Sequence, residues 1–176
     1  MIPKTVGRLA ERALWAIADS HSNGTSPELV VLRSCALTEG YVDDLLDQLS
    51  AADLHAASDF QELAFGQVRT QLHQSWQSRR QWLKDGFGIS IAGSQAAQEF
   101  DVLVELRNAL THGAGELTRL QRNRLSDQLA LESKLVSVMK LGMRGNRLNL
   151  TAETSVAAVK IACSYVIALD SGARAR

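Results

Sequence analysis

The stretch SQAAQEFDVLVELRNALTHG, residues 94–113, decides the fold that we predict for this chain. Its apolar residues recur at steps of three and four, which is the spacing of one face of an α-helix. They are Val102, Leu103, Leu106, Ala109 and Leu110, with Phe100 and Val104 at the edge of the same face. The pattern predicts a core helix that begins near Ser94 and ends at His112, where Gly113 provides a left-handed cap.

The same periodicity, together with capping residues, predicts helices on both sides of this one. They run from about Lys4 to His21, from Pro27 to about Leu49 with Ser26 as cap, from about Asp59 to Lys84, and from about Ala152 to Asp170 with Thr151 as cap. Residues 116–135 read as one or two shorter helices, a small β-hairpin around the turn GMRGN is expected within residues 134–150, and the tail SGARAR is expected to fray. We therefore predict a single all-α domain over residues 1–176, an antiparallel bundle of four main helices with shorter ones.

The composition is that of a soluble globular protein, with 45% hydrophobic and 22% charged residues. Nineteen basic and 19 acidic residues give a formal net charge of zero, which argues against a general polyanion binder but permits a local basic patch. Cys35 and Cys163 each lie in an apolar run and are predicted to be buried free thiols. Because the four histidines are scattered and no CxxC pair occurs, we expect neither a metal site nor a cofactor.

The N-terminal segment and the most apolar segment bear on location. Charged residues interrupt the first 15 residues, so they do not resemble a secretion signal. The most apolar stretch, residues 156–169, is short for a bilayer span and carries Lys160. We expect a cytoplasmic protein with no membrane partner.

A polar strip runs along the helix predicted over residues 94–112. Asp101, Glu105, Asn108 and His112 follow one another at steps of four, three and four, so they share one narrow face. Arg107 projects roughly 140° away from His112 on an ideal helix. A site that uses both side chains needs the helix to unwind at Gly113, the Arg107 side chain to wrap around the helix, or a two-fold partner to supply the second copy. The pattern alone does not choose among these three.

The residues RNALTH, 107–112, resemble the signature of the HEPN superfamily, in which an arginine and a polar residue are followed by a histidine four to six positions after the arginine. The stretch CALTEGYVDDLL, residues 35–46, is also similar to the second helix of the RiboL-PSP-HEPN group. The resemblance covers most of residues 5–170 and implies an all-helical homodimer that cleaves RNA without a metal, with the motifs of both chains lining one cleft. Such proteins are commonly toxins or defence effectors that an antitoxin or another regulatory partner restrains.

The chemistry suits the residue types of the motif. A histidine such as His112 can take the proton from a ribose 2′-hydroxyl or give one to the 5′-oxygen. Arg107 can hold the phosphate and stabilise its added negative charge, and Asn108 can orient the imidazole or bind the phosphate. The products would be a 2′,3′-cyclic phosphate and a 5′-hydroxyl, and DNA would be inert.

Other residues receive subordinate roles. Three arginines follow the motif and are our candidates for contacts with the RNA backbone: Arg119, Arg122 and Arg124. Glu105, on the polar strip, is assigned a supporting role. Glu39 lies on an otherwise apolar stripe, so it either faces Arg107 and holds it in place or turns to solvent beside Gly40.

Two other functions stay open at this point. A helix C-terminus favours a histidine through its dipole, and an arginine beside a core stripe can extend to solvent, so the motif has a purely structural explanation as well. If the motif is only structural, the chain is a catalytically silent HEPN-type bundle that dimerises and binds RNA or a partner protein. A helical scaffold in which the motif is a coincidence is the third alternative.

Overall fold

The structure is a computed structural model that describes residues 6–22, 24–54 and 58–176. Seven α-helices, one π-helical turn and one β-hairpin make up this part of the chain. The helices are α1 Arg8–Asp19, α2 Pro27–Leu54, α3 Asp59–Leu72, α4 Trp76–Gln81, α5 Gln95–His112, α6 Leu125–Met139 and α7 Ala152–Arg174; the π-helical turn is Trp82–Gly86, and the strands are β1 Gly142–Arg144 and β2 Arg147–Asn149. The predicted all-α class with a small hairpin is confirmed.

Local capping explains where several helices begin. The Ser26 hydroxyl accepts a hydrogen bond from the Leu29 N–H at 3.3 Å, and the Ser94 hydroxyl accepts one from the Ala97 N–H at 3.2 Å. At the start of α7, the hydroxyl of Thr154 accepts from the N–H of Thr151 at 3.1 Å. Each bond satisfies a backbone donor that the first helical turn would otherwise leave unpaired. The predicted starts at these three positions are confirmed.

Helices α1, α2, α5 and α7 pack against one another and form the bundle. Arg12 of α1 pairs with Asp44 of α2 at 2.8 Å, and the N–H of Gly7, before α1, donates to Asp170 at 3.2 Å, so α1 runs antiparallel to both α2 and α7. Arg176 pairs with Asp53 at 2.7 Å, which brings the C-terminal ends of α7 and α2 together. Helix α6 lies across α5 and α7.

The core is built where the apolar faces of these helices meet. Phe100 of α5 stacks on Tyr165 of α7 with ring centroids 4.0 Å apart, and Trp76 of α4 meets the edge of Phe100 at 4.8 Å. The apolar face predicted for α5 is buried at Leu103 and Leu106, as are Phe100 and Tyr165. Burial of this face against α2, α6 and α7 fixes the rotation of α5 about its axis, so its polar strip points away from the core.

Three helical bounds differ from the prediction. The helix expected over residues 59–84 is broken into α3, α4 and the π-helical turn, because the Ser75 hydroxyl accepts from the Ser78 N–H at 3.0 Å and starts a new helix. The first part of the helical stretch predicted over residues 116–135 is non-helical, and α6 begins only at Leu125. The tail SGARAR is expected to fray, but α7 continues to Arg174 and includes most of this segment.

One helix of the described residues is long and apolar enough to cross a membrane. Helix α7 has 23 residues and an 18-residue window with a mean hydropathy of 1.5. The prediction that this region is too short is therefore wrong as regards length. In the bundle α7 packs against α1, α2 and α5 and buries Ala158, Ala162 and Val166, and core helices of soluble proteins meet the same criterion. A cytoplasmic location without a membrane partner stays a prediction.

Candidate active site

The predicted motif lies at the C-terminal end of α5. Helix α5 ends at His112 as predicted, and this histidine is exposed, whereas Arg107 and Asn108 are half-buried. The neighbouring Leu106 and Ala109 are fully buried and anchor this end of the helix in the core. The motif therefore combines a rigid backbone with side chains that reach solvent, as a binding or catalytic site requires.

The side chain of Arg107 contacts Asn108, the next residue of α5 and a member of the polar strip. Its Nη1 donates a hydrogen bond to Oδ1 of Asn108 at 3.3 Å. Since α5 is regular up to His112, unwinding of the helix does not bring the two residues together within one chain. Of the three routes considered, unwinding is excluded, and pairing through a two-fold partner stays a prediction.

The side chain of Asn108 bonds to Arg107 and not to the His112 imidazole. Asn108 was expected to orient the imidazole of His112 or to bind phosphate, but its side-chain oxygen accepts from Arg107 instead. Among the hydrogen bonds between described residues, none involves the His112 ring. The imidazole is thus accessible, and no described residue orients it through a hydrogen bond.

Cys35 of α2 lies beside the buried side of the motif helix. Its Sγ is 3.8 Å from the carbonyl oxygen of Leu103. Burial raises the pKa of the Cys35 thiol to about 12, with the Arg107 guanidinium opposing the rise and the Glu39 carboxylate adding to it. Both charged side chains therefore lie within electrostatic reach of Cys35. The predicted buried thiol is confirmed for Cys35, whereas Cys163 is only half-buried.

Glu39 binds a different arginine from the one expected. Its Oε1 pairs with Nη2 of Arg79 at 3.0 Å, and Asp43 accepts two further bonds from the same guanidinium at 2.7 and 2.9 Å. Arg79 is buried, and its charge is compensated by these two carboxylates. The hypothesis that Glu39 holds Arg107 by direct contact is wrong, because α4 supplies a nearer cation. The alternative, a solvent-directed Glu39, does not describe it either, since its side chain is 32% exposed and ion-paired.

Asp43 is the centre of this ion-pair network. Besides Arg79, its Oδ1 is bonded to Nδ1 of His73 at 2.8 Å. Partial burial by itself would raise the pKa of Asp43, but the hydrogen bonds and charges of Arg79 and His73 outweigh it, so the pKa is lowered. The network joins α2 and α4 to His73, the residue at the C-terminal end of α3.

The three arginines proposed for RNA contacts follow the motif in the segment between α5 and α6. Arg119 and Arg122 lie in turns, and Arg124 immediately precedes α6. All three are exposed, and none forms an ion pair with a residue of the described chain. Their positive charges are therefore free to meet an anion.

Glu105 and Gln121 hold this arginine segment against α5. The Nε2 of Gln121 donates to Oε2 of Glu105 at 2.7 Å and to the Glu105 carbonyl oxygen at 2.9 Å. The same glutamine accepts from the Thr118 N–H at 2.9 Å and its own N–H donates to the Thr118 hydroxyl at 3.3 Å. Glu105 thus has a concrete supporting contact, while Gln121 was missed by the sequence reasoning. The spacing Thr118-x-x-Gln121 is that of a capping box and is the signal that would have found it.

The turn after His112 is unusually close-packed. A Cβ on Gly113 would lie 1.9 Å from the carbonyl oxygen of Glu116 and 2.7 Å from that of Ala109. Gly113 itself has a φ of −107°, so the predicted left-handed cap is wrong; the left-handed residues are Ala114 and Gly115. Glycine is needed at 113 for space, because any side chain would strike the backbone of the following turn.

The β-hairpin docks on this same turn. The N–H of Leu117 donates to the carbonyl oxygen of Asn146 at 3.0 Å, and the N–H of Leu148 donates to that of Gly115 at 2.9 Å. Glu116 and Arg147 form an antiparallel bridge between these two bonds. The end of the motif helix, the arginine segment and the hairpin therefore form one continuous surface.

In residues 6–22, 24–54 and 58–176, no group of three or more His, Cys, Asp or Glu side chains is arranged to hold a metal ion. His55, one of the scattered histidines, lies outside the described residues.

No family model, curated protein or solved structure matches the chain.

Proposed function

We propose that this protein is a metal-independent endoribonuclease whose active site combines Arg107 and His112 at a homodimer interface. The observation that carries the proposal is the hydrogen bond from Arg107 to Asn108 on the polar strip. The Arg107 guanidinium, bonded to Asn108 at 3.3 Å, reaches the polar strip that ends in the exposed His112. An arginine and an accessible imidazole on the same helix end provide a phosphate ligand and a proton carrier for RNA cleavage.

In the proposed reaction, the ribose 2′-oxygen attacks the adjacent phosphorus and the 5′-oxygen leaves. His112 carries one proton in this exchange, either from the 2′-hydroxyl as a base or to the leaving 5′-oxygen as an acid, and water takes or gives the other proton. Arg107 binds the phosphate and stabilises the negative charge that builds up on it, and Asn108 holds the guanidinium. Arg119, Arg122 and Arg124 bind the backbone on either side.

The lack of an orienting partner for His112 within the described chain supports the dimeric form of the proposal. A two-fold axis near the end of α5 would present two copies of Arg107, Asn108 and His112 to one phosphate. The second chain would then supply the contact that positions the imidazole. Control by an antitoxin or another regulatory partner belongs to the same proposal.

The same observation also favours the second candidate, a catalytically silent dimerising module that binds RNA or a partner protein. If the dimer leaves His112 without an orienting contact, no group transfers the proton efficiently. The arginine segment would still bind phosphates. Cleavage chemistry separates the two candidates.

The decisive experiment is cleavage of end-labelled RNA in EDTA by the wild type and by His112→Ala, with analysis of the product ends. We expect 2′,3′-cyclic phosphate products from the wild type and a rate lowered by at least about a hundredfold in the variant. His21→Ala is the matched control, since His21 is exposed but lies outside the motif. RNA with 2′-O-methyl groups should resist cleavage. If the wild-type protein binds RNA but does not cut it, the ribonuclease proposal fails and the catalytically silent binding module remains.

Mixing two inactive variants tests whether the site is shared between chains. In a heterodimer of Arg107→Ala with His112→Ala, a site built from both chains retains one intact Arg107–His112 pair. A site built within one chain retains none. We expect co-refolded mixtures to regain part of the wild-type activity. A verified heterodimer without activity, beside an active wild type, would show that the shared site is wrong.

A further inference from the structure

Two arginines face each other across the β-hairpin. In the antiparallel register of β1 and β2, Arg144 is the direct partner of Arg147, on either side of the turn formed by Gly145 and Asn146. Both arginines are exposed. Directly opposite residues of an antiparallel pair place their side chains on the same face of the sheet, about 5 Å apart at the Cβ atoms.

Glu116 extends this pair into a row of three. The bridge between Glu116 and Arg147 is flanked by the hydrogen bonds Leu148 N–H to Gly115 and Leu117 N–H to Asn146, at 2.9 and 3.0 Å. This pattern marks a non-hydrogen-bonded pair, in which the side chains lie closest. The row Glu116, Arg147, Arg144 therefore crosses the surface beside the turn that follows His112, and its net charge is positive.

The arginine pair has a cost within the protein that Glu116 offsets only in part, because one carboxylate faces two guanidinium groups. Like charges directly opposite one another destabilise a sheet. Neither Arg144 nor Arg147 forms an ion pair with a described residue, even though Glu116 is the cross-strand neighbour of Arg147. A bound polyanion would convert the repulsion into attraction, because each guanidinium can hold a phosphate through two parallel hydrogen bonds.

The hairpin is also held firmly enough to present this pair. Besides the backbone bonds to residues 115 and 117, Nε2 of Gln128 in α6 donates to Oδ1 of Asn146 at 3.1 Å. The turn between the two arginines is thereby fixed to the helix that follows the arginine segment. Little backbone freedom is lost when an anion binds such a surface.

We propose that Arg144 and Arg147 are a second backbone-binding site for RNA, which holds phosphates next to the one bound at the end of α5. The inference rests on the proposed ribonuclease function and extends the RNA path from the arginine segment onto the hairpin. Phosphates, rather than bases, are the ligand, because the row carries guanidinium groups and no aromatic side chain on which a base would stack.

The test is fluorescence anisotropy of a labelled, uncleavable 2′-O-methyl RNA, titrated with the full chain at several salt concentrations. Arg144→Gln/Arg147→Gln should weaken binding on the order of tenfold at low salt and lower the slope of log affinity against log salt by about 1.4, since each phosphate contact on a single strand contributes about 0.7. Arg144→Lys/Arg147→Lys should stay near the wild type in slope. Glu116→Gln should bind more tightly, because it removes the carboxylate from the row.

Arg8→Gln is the matched control. Arg8 is exposed at the start of α1. Its neighbour Gly7 contacts Asp170 near the C-terminal end of α7, whereas the hairpin immediately precedes the N-terminal end of α7. Circular dichroism and the urea midpoint verify that each variant folds. If the double glutamine variant binds RNA like Arg8→Gln, the inference is overturned. If the wild type cleaves RNA and the double glutamine variant has the same KM as the wild type, the inference fails but the ribonuclease proposal stands. If the wild type neither binds nor cleaves RNA, the inference and the ribonuclease proposal are both overturned.

Discussion

Gly113→Ala tests the packing that connects the motif helix to the arginine segment. An added Cβ would lie 1.9 Å from the carbonyl oxygen of Glu116, so that oxygen must retreat by about 1.5 Å to reach ordinary contact distance. The shift would break the bond from the Glu116 N–H to the Gly113 carbonyl and strain the neighbouring one from Leu117 to Asn146, both 3.0 Å long. With about 1 kcal/mol for each bond and a similar amount for strain, we expect a loss of about 3 kcal/mol in the free energy of unfolding.

Gly115→Ala is the matched comparison within the same turn. Gly115 has a φ of +86° and nothing within 4 Å of its position for a Cβ, so alanine there is penalised by conformation alone. The expected cost is about 1 kcal/mol. Both variants are compared with the wild type by urea unfolding followed by circular dichroism. If Gly113→Ala is no less stable than Gly115→Ala, the close approach of residues 113 and 116 is wrong.

Further predictions concern the ion-pair network, the Gln121 contact and the buried thiol. Asp43→Asn should lower the free energy of unfolding by about 2–4 kcal/mol in urea melts, because the amide carries no charge and its single oxygen can accept only one of the two bonds that the buried Arg79 donates. A loss no larger than that of a surface variant would contradict this. Since the pKa of Asp43 is lowered in the folded chain, its stabilisation is present above the ordinary value of about 4 and is lost as the pH falls through the lowered one, so the same variant should flatten the acid limb of the stability curve. Gln121→Glu should repel Glu105 and weaken RNA binding several-fold in anisotropy titrations. The double variant Gln121→Glu/Glu105→Gln should restore the RNA affinity. If Gln121→Glu leaves RNA binding unchanged, the contact does not position the arginines. Cys35, with its pKa raised by burial to about 12, should resist a thiol reagent at pH 8 until the chain unfolds, and rapid labelling of the folded protein would refute its burial.

Local signals in the sequence were sufficient for most of the helices. Ser26, Ser94 and Thr151 mark helix starts because an N-cap acts on backbone groups only two or three residues away. The GMRGN turn likewise marks the hairpin, where Gly145 has the positive φ of +59° that such turns favour. The break before α4 was missed although Ser75 is a local cap, because the apolar periodicity continues across it.

The contacts around the motif were less accessible to prediction. Periodicity placed Asn108 and His112 on one strip and Arg107 off it, but the bond from Arg107 to Asn108 depends on side-chain rotamers. Neither role left open for Glu39 was its pairing with Arg79, since that partner depends on where α4 packs against α2.

By itself, the sequence determined that this is an all-α bundle with a motif at the end of one core helix, since helical periodicity and capping act over a few residues. Only the tertiary structure decided that the turn after His112 meets the hairpin and that Gln121 ties the arginine segment to Glu105. These contacts join residues that are 16 to 31 positions apart in the chain. Their partners are selected by how whole helices and loops pack together, and no short-range pattern records that packing.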